Sequence, residues 1–318
     1  MGAADAEGYA TTGVLPRQRH QPRSTQNRPF PRERDMNYTD YTAMRVKVDG
    51  GIAWVTLANP PMNLLDAALV PELKRFVRTV RDDDQVRVIV IQSDDPDFFA
   101  AHVDMAYAFD AEGFMRLGAE DTGAPQLNPM QHLMVSIRSL PQVTVAKLRG
   151  RLRGGGNELA TAMDMRFAAA GQTWMSQLET RIGIIPGGGG TQLLSRLIGR
   201  SRALEAILGA GLHDTDTAEK YGWINRALPP AHLDAFVDDL AHRIAALTPQ
   251  QIAAAKTAID AATGGDTLEA GMAAEGQALG LVYPAPREAL DRTRRYLDAG
   301  LQTRDGELDL EGFMDRNG

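Results

Sequence analysis

The sequence lacks several features that would mark specialised classes of protein. None of its 318 residues is cysteine, which excludes a disulfide framework, a thiolate metal site and a thiol nucleophile. No apolar run reaches the roughly 18 residues that a transmembrane helix requires. Positive charge is not in excess, because the formal net charge is -7. We therefore expect neither a nucleic-acid partner nor a membrane partner, and the absence of cysteine fits a cytoplasmic location.

The first 35 residues differ in composition from the rest of the chain. The segment QRHQPRSTQNRPFPRERD is rich in Arg, Pro and Gln and has almost no apolar side chains. Such a segment cannot bury enough surface to offset the entropy of ordering its backbone. It also lacks the apolar core of a secretory signal. The composition predicts a disordered extension over residues 1–35.

Strand and helix patterns alternate along the next part of the chain. Two strand-like runs flank the D-G-G sequence at residues 49–51, which is a hairpin signal. The run VRVIVIQ at residues 86–92 is typical of a buried parallel strand. After Pro230 only helical spacing continues. The pattern predicts an α/β core over residues 36–230 and a C-terminal helical region over residues 231–318.

Three consecutive glycines at residues 154–156 stand where a predicted strand becomes a predicted helix. Glycine permits close backbone approach, and the first turn of a helix has unpaired N–H groups and a partial positive charge. This junction is suited to hold an anion or a developing oxyanion, although a tight strand–helix connection would need glycines too. The spacing matches neither the dinucleotide-binding fingerprint nor the P-loop.

Two glutamates lie close to glycine runs. Glu158 falls in the first turn after the triple glycine, and Glu179 precedes a second run at residues 187–190. Either glutamate alone would be read as structural, but two carboxylates near one anion-stabilising loop can share general acid and base work. The histidines are scattered and form no ligand set, so no metal site is predicted.

Four stretches, in this order, together resemble the enoyl-CoA hydratase/isomerase (crotonase) family: FFAAHVDM, GRLRGGGNELA, SQLETRIGIIPGGGGTQLLSRLIG and DTAEKYGWINRALP. The resemblance covers about residues 43–301. It implies an α/β, crotonase-like spiral of ββα units with a C-terminal helical region, assembled as a homotrimer or hexamer. It also implies an acyl-CoA substrate, with coenzyme A as part of that substrate and no separate cofactor.

The resemblance assigns roles to individual residues. The backbone N–H groups of Val103 and Gly155 correspond to the family's oxyanion hole, and Glu158 and Glu179 correspond to the glutamates that hold a water in the hydratases. The implied substrate-binding residues are Leu64, Ala101, His102, Asp104, Met105 and Gly154. Two glutamates favour a lyase, a 2-enoyl-CoA hydratase. The alternatives are an isomerase, hydrolase or decarboxylase using the same oxyanion hole, or a non-catalytic subunit that binds CoA esters.

The sequence departs from the family pattern around these residues. His102 stands where glycine is usual, and Leu178 replaces the proline that normally precedes Glu179. One extra residue ahead of Glu179 predicts a lengthened turn. Residues 106–128 have no clear counterpart and are expected to shape the acyl pocket. Four basic residues alternate along the approach to the triple glycine: Lys147, Arg149, Arg151 and Arg153. This basic row could attract the phosphates of CoA, or it could face solvent or another subunit.

Overall fold

The structure is a computed structural model that describes residues 38–264 and 267–317. The predicted disordered extension lies outside the described residues. The strands are β1 (Met44–Asp49), β2 (Ile52–Leu57), β3 (Val88–Ser93), β4 (Phe98–Ala100), β5 (Val143–Arg153), β6 (Met165–Ser176), β7 (His213–Asp214) and β8 (Arg226–Leu228).

The helices of the α/β part are α1 (Leu69–Arg81), α2 (Ala111–Arg116), α3 (Pro129–Arg138), α4 (Gly155–Ala162), α5 (Gly190–Ile198), α6 (Arg200–Gly209) and α7 (Thr215–Tyr221). Short 3₁₀ helices span Met105–Ala108 and Glu179–Ile182. The later helices are α8 (Leu233–Ala245), α9 (Pro249–Thr263), α10 (Leu268–Gly280), α11 (Arg287–Asp298), α12 (Arg304–Leu308) and α13 (Leu310–Asn317).

The sheet combines an antiparallel start with a parallel centre. Its order is β1-β2-β3-β5-β6-β7, with β4 paired to β5 and β8 paired to β6. β1 and β2 form the predicted hairpin, and Gly50 and Gly51 supply the positive φ angles of its two-residue turn. β3 lies between parallel neighbours, as its continuous apolar run predicts. The predicted α/β architecture is confirmed.

Both faces of the central strands are covered, because alternate side chains enter two different apolar clusters. Ile89 packs in the larger cluster with residues of α1, α3 and α4, whereas Val88 and Val90 pack in the smaller cluster against α8. Side chains alternate between faces along a strand. The continuous hydrophobicity of β3 thus reflects helices packed on both sides of it.

β5 and β6 are long strands that change partners partway along their length. The first half of β5 pairs with β3 and its second half pairs with β4. The register between β5 and β6 shifts, so that the three residues from Leu148 to Gly150 face the six residues from Ala168 to Thr173. β6 absorbs the excess as a bulge around Gly171. Between Asp164 and Glu179 the structure therefore has one bulged strand, whereas we predict a lengthened hairpin turn there.

Gly150 is required at the point where β5 meets β4. Its φ is +70°, and a Cβ at this position would overlap the backbone of Asp97 and Phe98. The Arg151 amide also donates to the Asp97 carbonyl at 2.7 Å. Because the crowding atoms belong to the backbone of Asp97 and Phe98, where β4 begins, no side-chain movement can relieve the overlap. The glycine therefore permits the close approach of the two strands.

We expect Gly150→Ala to destabilise the fold more than Gly171→Ala. The two glycines have nearly the same φ, +70° and +68°, but a Cβ at Gly171 would meet nothing within 4 Å. The left-handed backbone should cost either variant about 1–2 kcal/mol, and the overlap at Gly150 should add about 1–3 kcal/mol. Urea unfolding of both variants measures the difference. Equal losses would show that β4 adjusts freely.

The strands end before the C-terminal helices, and β8 is the last one described. These helices carry many exposed apolar side chains, including Leu268, Met272, Leu279 and Leu290. The domain boundary at residue 230 and the trimeric or hexameric assembly stay predictions. Among the helices of residues 38–264 and 267–317, none combines the length and apolarity needed to cross a bilayer.

Candidate active site

A cavity of about 370 Å³ lies where the end of β5, the start of α4 and the second glycine run come together. The cavity collects most of the residues that the sequence singles out. Those on its wall are His102, Val103, Asp104, Met105, Gly154, Gly155, Glu158 and Glu179. Residues separated by as many as 77 positions, from His102 to Glu179, therefore share one site.

Two of the predicted substrate-binding residues lie behind the cavity wall. Ala101 is buried, and its amide donates to the Met62 carbonyl at 3.1 Å. Leu64 is half-buried, and its carbonyl accepts from Asn59 Nδ2 at 3.0 Å. Neither residue lines the cavity. Their contacts hold the segment that carries Val103, while their roles toward a substrate stay predictions.

The amides of Val103 and Gly155 face a common space. Leu65 bonds to the His102 carbonyl and to the Asp104 amide, at 3.0 and 3.1 Å. In an extended segment these groups point to one side, so the Val103 N–H points to the other. A Cβ on Gly155 would lie 3.4 Å from the Val103 nitrogen. In the described part of the chain neither amide has an acceptor, as an oxyanion hole requires.

Glu158 is held in place by the second glycine run. Its Oε1 accepts hydrogen bonds from the amides of Gly188 and Gly190, at 2.9 and 2.8 Å. Burial raises the pKa of Glu158, and the two amide donors oppose that rise. A Cβ on Gly188 would overlap the other carboxylate oxygen of Glu158. The second glycine run thus provides donors to Glu158, a role that its sequence alone does not reveal.

Glu179 begins the short 3₁₀ helix just after β6 and is 8% exposed. The Gly154 amide donates to the Ser176 carbonyl at 2.9 Å, which ties the end of β6 to the glycine junction. A Cβ on Gly154 would lie 2.8 Å from Glu179 Oε1. Burial raises the pKa of Glu179 to about 7, and the charge of Glu158 adds to the rise. Leu178, in place of proline, leaves Glu179 on the cavity wall.

The rest of the cavity wall is largely apolar. The segment at residues 106–128 contributes Tyr107, Ala108, Ala111, Phe114 and Asn128, as expected of a pocket-shaping segment. Further apolar contacts come from Met105, Met130, Leu178, Ile182, Ile184 and Ile185. Among the described lining residues there is no lysine and no arginine. The ionisable groups on the wall are therefore acidic, apart from His102 and Tyr107.

The basic row on β5 makes its contacts away from the cavity. Lys147 and Arg149 both pair with Asp234 of α8, at 2.9 and 3.2 Å. The Arg151 guanidinium lies 4.7 Å from the centre of the Trp174 ring. None of the row lines the cavity. Within the chain Lys147, Arg149 and Arg151 therefore join β5 to neighbouring elements.

Comparison with known proteins is consistent with this geometry. The family model for enoyl-CoA hydratase/isomerase matches residues 47–285. Human mitochondrial methylglutaconyl-CoA hydratase is 36% identical over 166 residues, which are 52% of this chain and 47% of that protein. The chain thus spans about half the length of that relative. A provisionally named Bacillus subtilis enoyl-CoA hydratase/isomerase, YngF, is 30% identical over 73% of this chain and 86% of its own length.

Solved structures agree in fold. A provisionally named enoyl-CoA hydratase from Streptomyces avermitilis is 44% identical, with a TM-score of 0.67, and the match covers 87% of this chain and 99% of that one. The enoyl-CoA hydratase from Bacillus anthracis is 26% identical, with a TM-score of 0.70 and coverage of 81% and 97%.

Proposed function

This chain belongs to the enoyl-CoA hydratase/isomerase family, and from that premise we propose that it adds water to a 2-enoyl-CoA thioester. The observation that supports hydration is the presence of two buried carboxylates, Glu158 and Glu179, on one cavity wall. The unpaired amides of Val103 and Gly155 face the same cavity. These features support both parts of the proposed reaction, which are charge stabilisation and paired proton transfer.

In the proposed reaction the thioester oxygen binds between the amides of Val103 and Gly155. The two N–H groups stabilise the negative charge that develops on this oxygen as the enolate forms. Water attacks Cβ and loses a proton to one carboxylate, while the other carboxyl group delivers a proton to Cα. One water is added in total, and one proton enters the glutamate pair as another leaves it.

The surroundings of the two glutamates support an assignment of roles. Burial raises the pKa of Glu158, but two backbone amides donate to its carboxylate and oppose that rise, and we assign to it the role of the base that takes a proton from water. Burial raises the pKa of Glu179 to about 7, so this group holds a proton near neutral pH and suits the acid that protonates Cα. The reactive state would therefore be the one in which the two glutamates together hold a single proton.

The apolar wall favours an uncharged acyl group. A carboxylate at the end of the acyl chain would find no lysine or arginine among the described lining residues. It would also meet the negative charge of Asp104 and the glutamate pair. Burying such a charge without a partner is unfavourable. We therefore propose a substrate unlike methylglutaconyl-CoA, the compound in the name of the human relative, whose acyl chain ends in a free carboxylate.

A substrate panel tests this function. The enzyme is incubated with crotonyl-CoA, a longer unbranched 2-enoyl-CoA and 3-methylglutaconyl-CoA, and products are identified by mass spectrometry. We expect the uncharged esters to gain the mass of one water, with kcat/KM far above that of the carboxylated ester. Double-bond migration, thioester cleavage or loss of carbon dioxide as the main reaction would contradict hydration. Tight binding of each ester without turnover would indicate a binding subunit.

The pH dependence of kcat/KM should be bell-shaped, with its alkaline limb near pH 7. Above that pH the pair loses its shared proton, because the pKa of Glu179 lies at about 7, and the group that protonates Cα is then missing. Hydration releases no proton overall, so the dehydration of 3-hydroxybutyryl-CoA should show the same limb. Initial rates of hydration and dehydration from pH 5 to 9 measure this limb. A flat profile through pH 9 would reject a protonated Glu179.

A further inference from the structure

We infer that Trp223, Asn157 and Gln177 form a directional chain of hydrogen bonds that positions the Glu179 carboxylate for proton transfer. The inference deepens the proposed hydration and rests on it for the role of Glu179. It also concerns the stretch DTAEKYGWINRALP, which contributes no residue to the cavity wall. Trp223 follows the end of α7 and reaches the site only through other side chains.

The chain of hydrogen bonds runs entirely through the protein interior. Trp223, Asn157 and Gln177 have no exposed surface. Trp223 Nε1 donates to Asn157 Oδ1 at 2.9 Å, and Asn157 Nδ2 donates to Gln177 Oε1. Gln177 Nε2 in turn lies 3.4 and 3.5 Å from the two carboxylate oxygens of Glu179. Each side chain thus has a partner that water cannot replace.

The chemistry of the two ends fixes the direction of the chain. The indole N–H of Trp223 is a donor only, so it requires the oxygen of the Asn157 amide to face it. The Asn157 NH₂ group then faces Gln177 and requires its oxygen. This leaves the Gln177 NH₂ group pointing toward Glu179, whose carboxyl oxygens can accept from it. The orientation of both amides therefore follows from the indole at one end.

The backbone holds both ends of the chain. Buried Arg166 donates from Nε to the Trp223 carbonyl at 2.8 Å, and the Trp223 amide donates to the Ala218 carbonyl at 2.8 Å. At the other end a Cβ on Gly190 would lie 2.5 Å from Gln177 Nε2 and 2.9 Å from Glu158 Oε1. The glycine thus leaves room for both the Gln177 amide and the Glu158 carboxylate. The donor aimed at Glu179 is consequently set beside the reacting groups.

Removal of the indole N–H should release this orientation. The Asn157 amide would be free to rotate, and the Gln177 amide could then turn its oxygen toward Glu179. A carbonyl oxygen facing the carboxylate disfavours the charged form, whereas the NH₂ group favours it. The chain of hydrogen bonds therefore affects both the position of the Glu179 carboxylate and its pKa. A residue that only fills space would affect neither of these properties selectively.

The test is Trp223→Phe, which keeps an aromatic ring and removes the N–H group. We expect kcat for crotonyl-CoA to fall by about 10-fold to 10²-fold, with little change in KM, and the alkaline limb to move to higher pH. Trp54→Phe is the matched control, because Trp54 is half-buried on β2 and does not line the cavity. The control should keep the kcat and the pH profile of the wild type.

A second variant and a substrate-free measurement keep the inference separate from the proposed function. Gln177→Met keeps a similar side-chain volume and removes the donor itself. It should therefore also move the alkaline limb of the pH profile to higher pH, and it replaces Trp223→Phe as the test if that variant does not fold. Carbon-13 NMR of labelled glutamate, with Glu179→Gln for assignment, follows the titration of Glu179 without turnover. An unchanged titration in folded Trp223→Phe and Gln177→Met would overturn the inference. A wild-type protein that fails to hydrate any enoyl-CoA would instead reject the proposed function.

Discussion

Replacement of either Glu158 or Glu179 with glutamine is expected to lower kcat by about 10²–10⁴-fold, with little change in the affinity for acyl-CoA. Glutamine keeps an oxygen that can accept from Gly188 and Gly190, so the local fold should persist at Glu158. It cannot take a proton from water or deliver one to Cα. The loss should therefore fall on the chemical step rather than on binding. Stopped assays with crotonyl-CoA and calorimetry with an unreactive acyl-CoA measure the two quantities.

Glu72 offers a matched control for this pair. Its carboxylate also accepts from backbone amides, those of Thr42 and Ala43 at 2.7 and 2.9 Å, but it lies outside the cavity. Glu72→Gln should therefore leave kcat unchanged. The double Glu158 and Glu179 variant should lose less than the product of the single losses, because groups that act together are not additive. A fully active Glu158→Gln enzyme would contradict the two-carboxylate mechanism and leave the fold assignment intact.

Gly155→Pro is expected to be at least as damaging, since it alters both groups of the proposed oxyanion hole. Proline has no N–H, and removal of one such donor typically costs about 10²–10³-fold in kcat. Any Cβ at this position would also overlap Cγ2 of Val103, which carries the second donor. The first turn of α4 itself tolerates proline, because its N–H groups have no partner within the helix.

Gly155→Ala separates the two causes. Alanine introduces the same overlap with Val103 but keeps the N–H, so the difference in kcat between the two variants reports the donor. Circular dichroism and thermal melting show whether each variant folds. We expect Gly155→Pro to have the lower kcat at equal folded fraction. Equal kcat values would assign the whole effect to displacement of Val103, and wild-type kcat in both would exclude an oxyanion hole at this junction.

The elements of the fold follow from local patterns that the sequence contains. The alternation of β3 with α1 and α3 depends on the spacing of apolar residues along short segments, and the hairpin depends on two adjacent glycines. The glycine junction and both glutamates are likewise visible as a motif. Their gathering on one wall depends on parallel pairing of β5 and β6, which brings the ends of these strands together.

The contacts that tune the site are not visible in the same way. The amides of Gly188 and Gly190 bind a carboxylate 30 and 32 residues earlier in the chain. Trp223 bonds to a side chain 66 residues away. No periodicity links such partners, because they meet only after the sheet and its helices have packed. Local patterns can therefore predict which residue types surround a site, but not which donor faces which acceptor.

The bulge at Gly171 also bears on how proteins of this architecture can differ in length. On either side of it β6 returns to regular pairing with β5, and the Gly154–Ser176 hydrogen bond fixes the strand again just before Glu179. Gly171 and Gln172 are exposed, with open space around the glycine. Insertions and deletions at this point would alter only an outward bend. A change in length at this bulge would leave the Gly154–Ser176 hydrogen bond in place, and with it the position at which Glu179 leaves the strand.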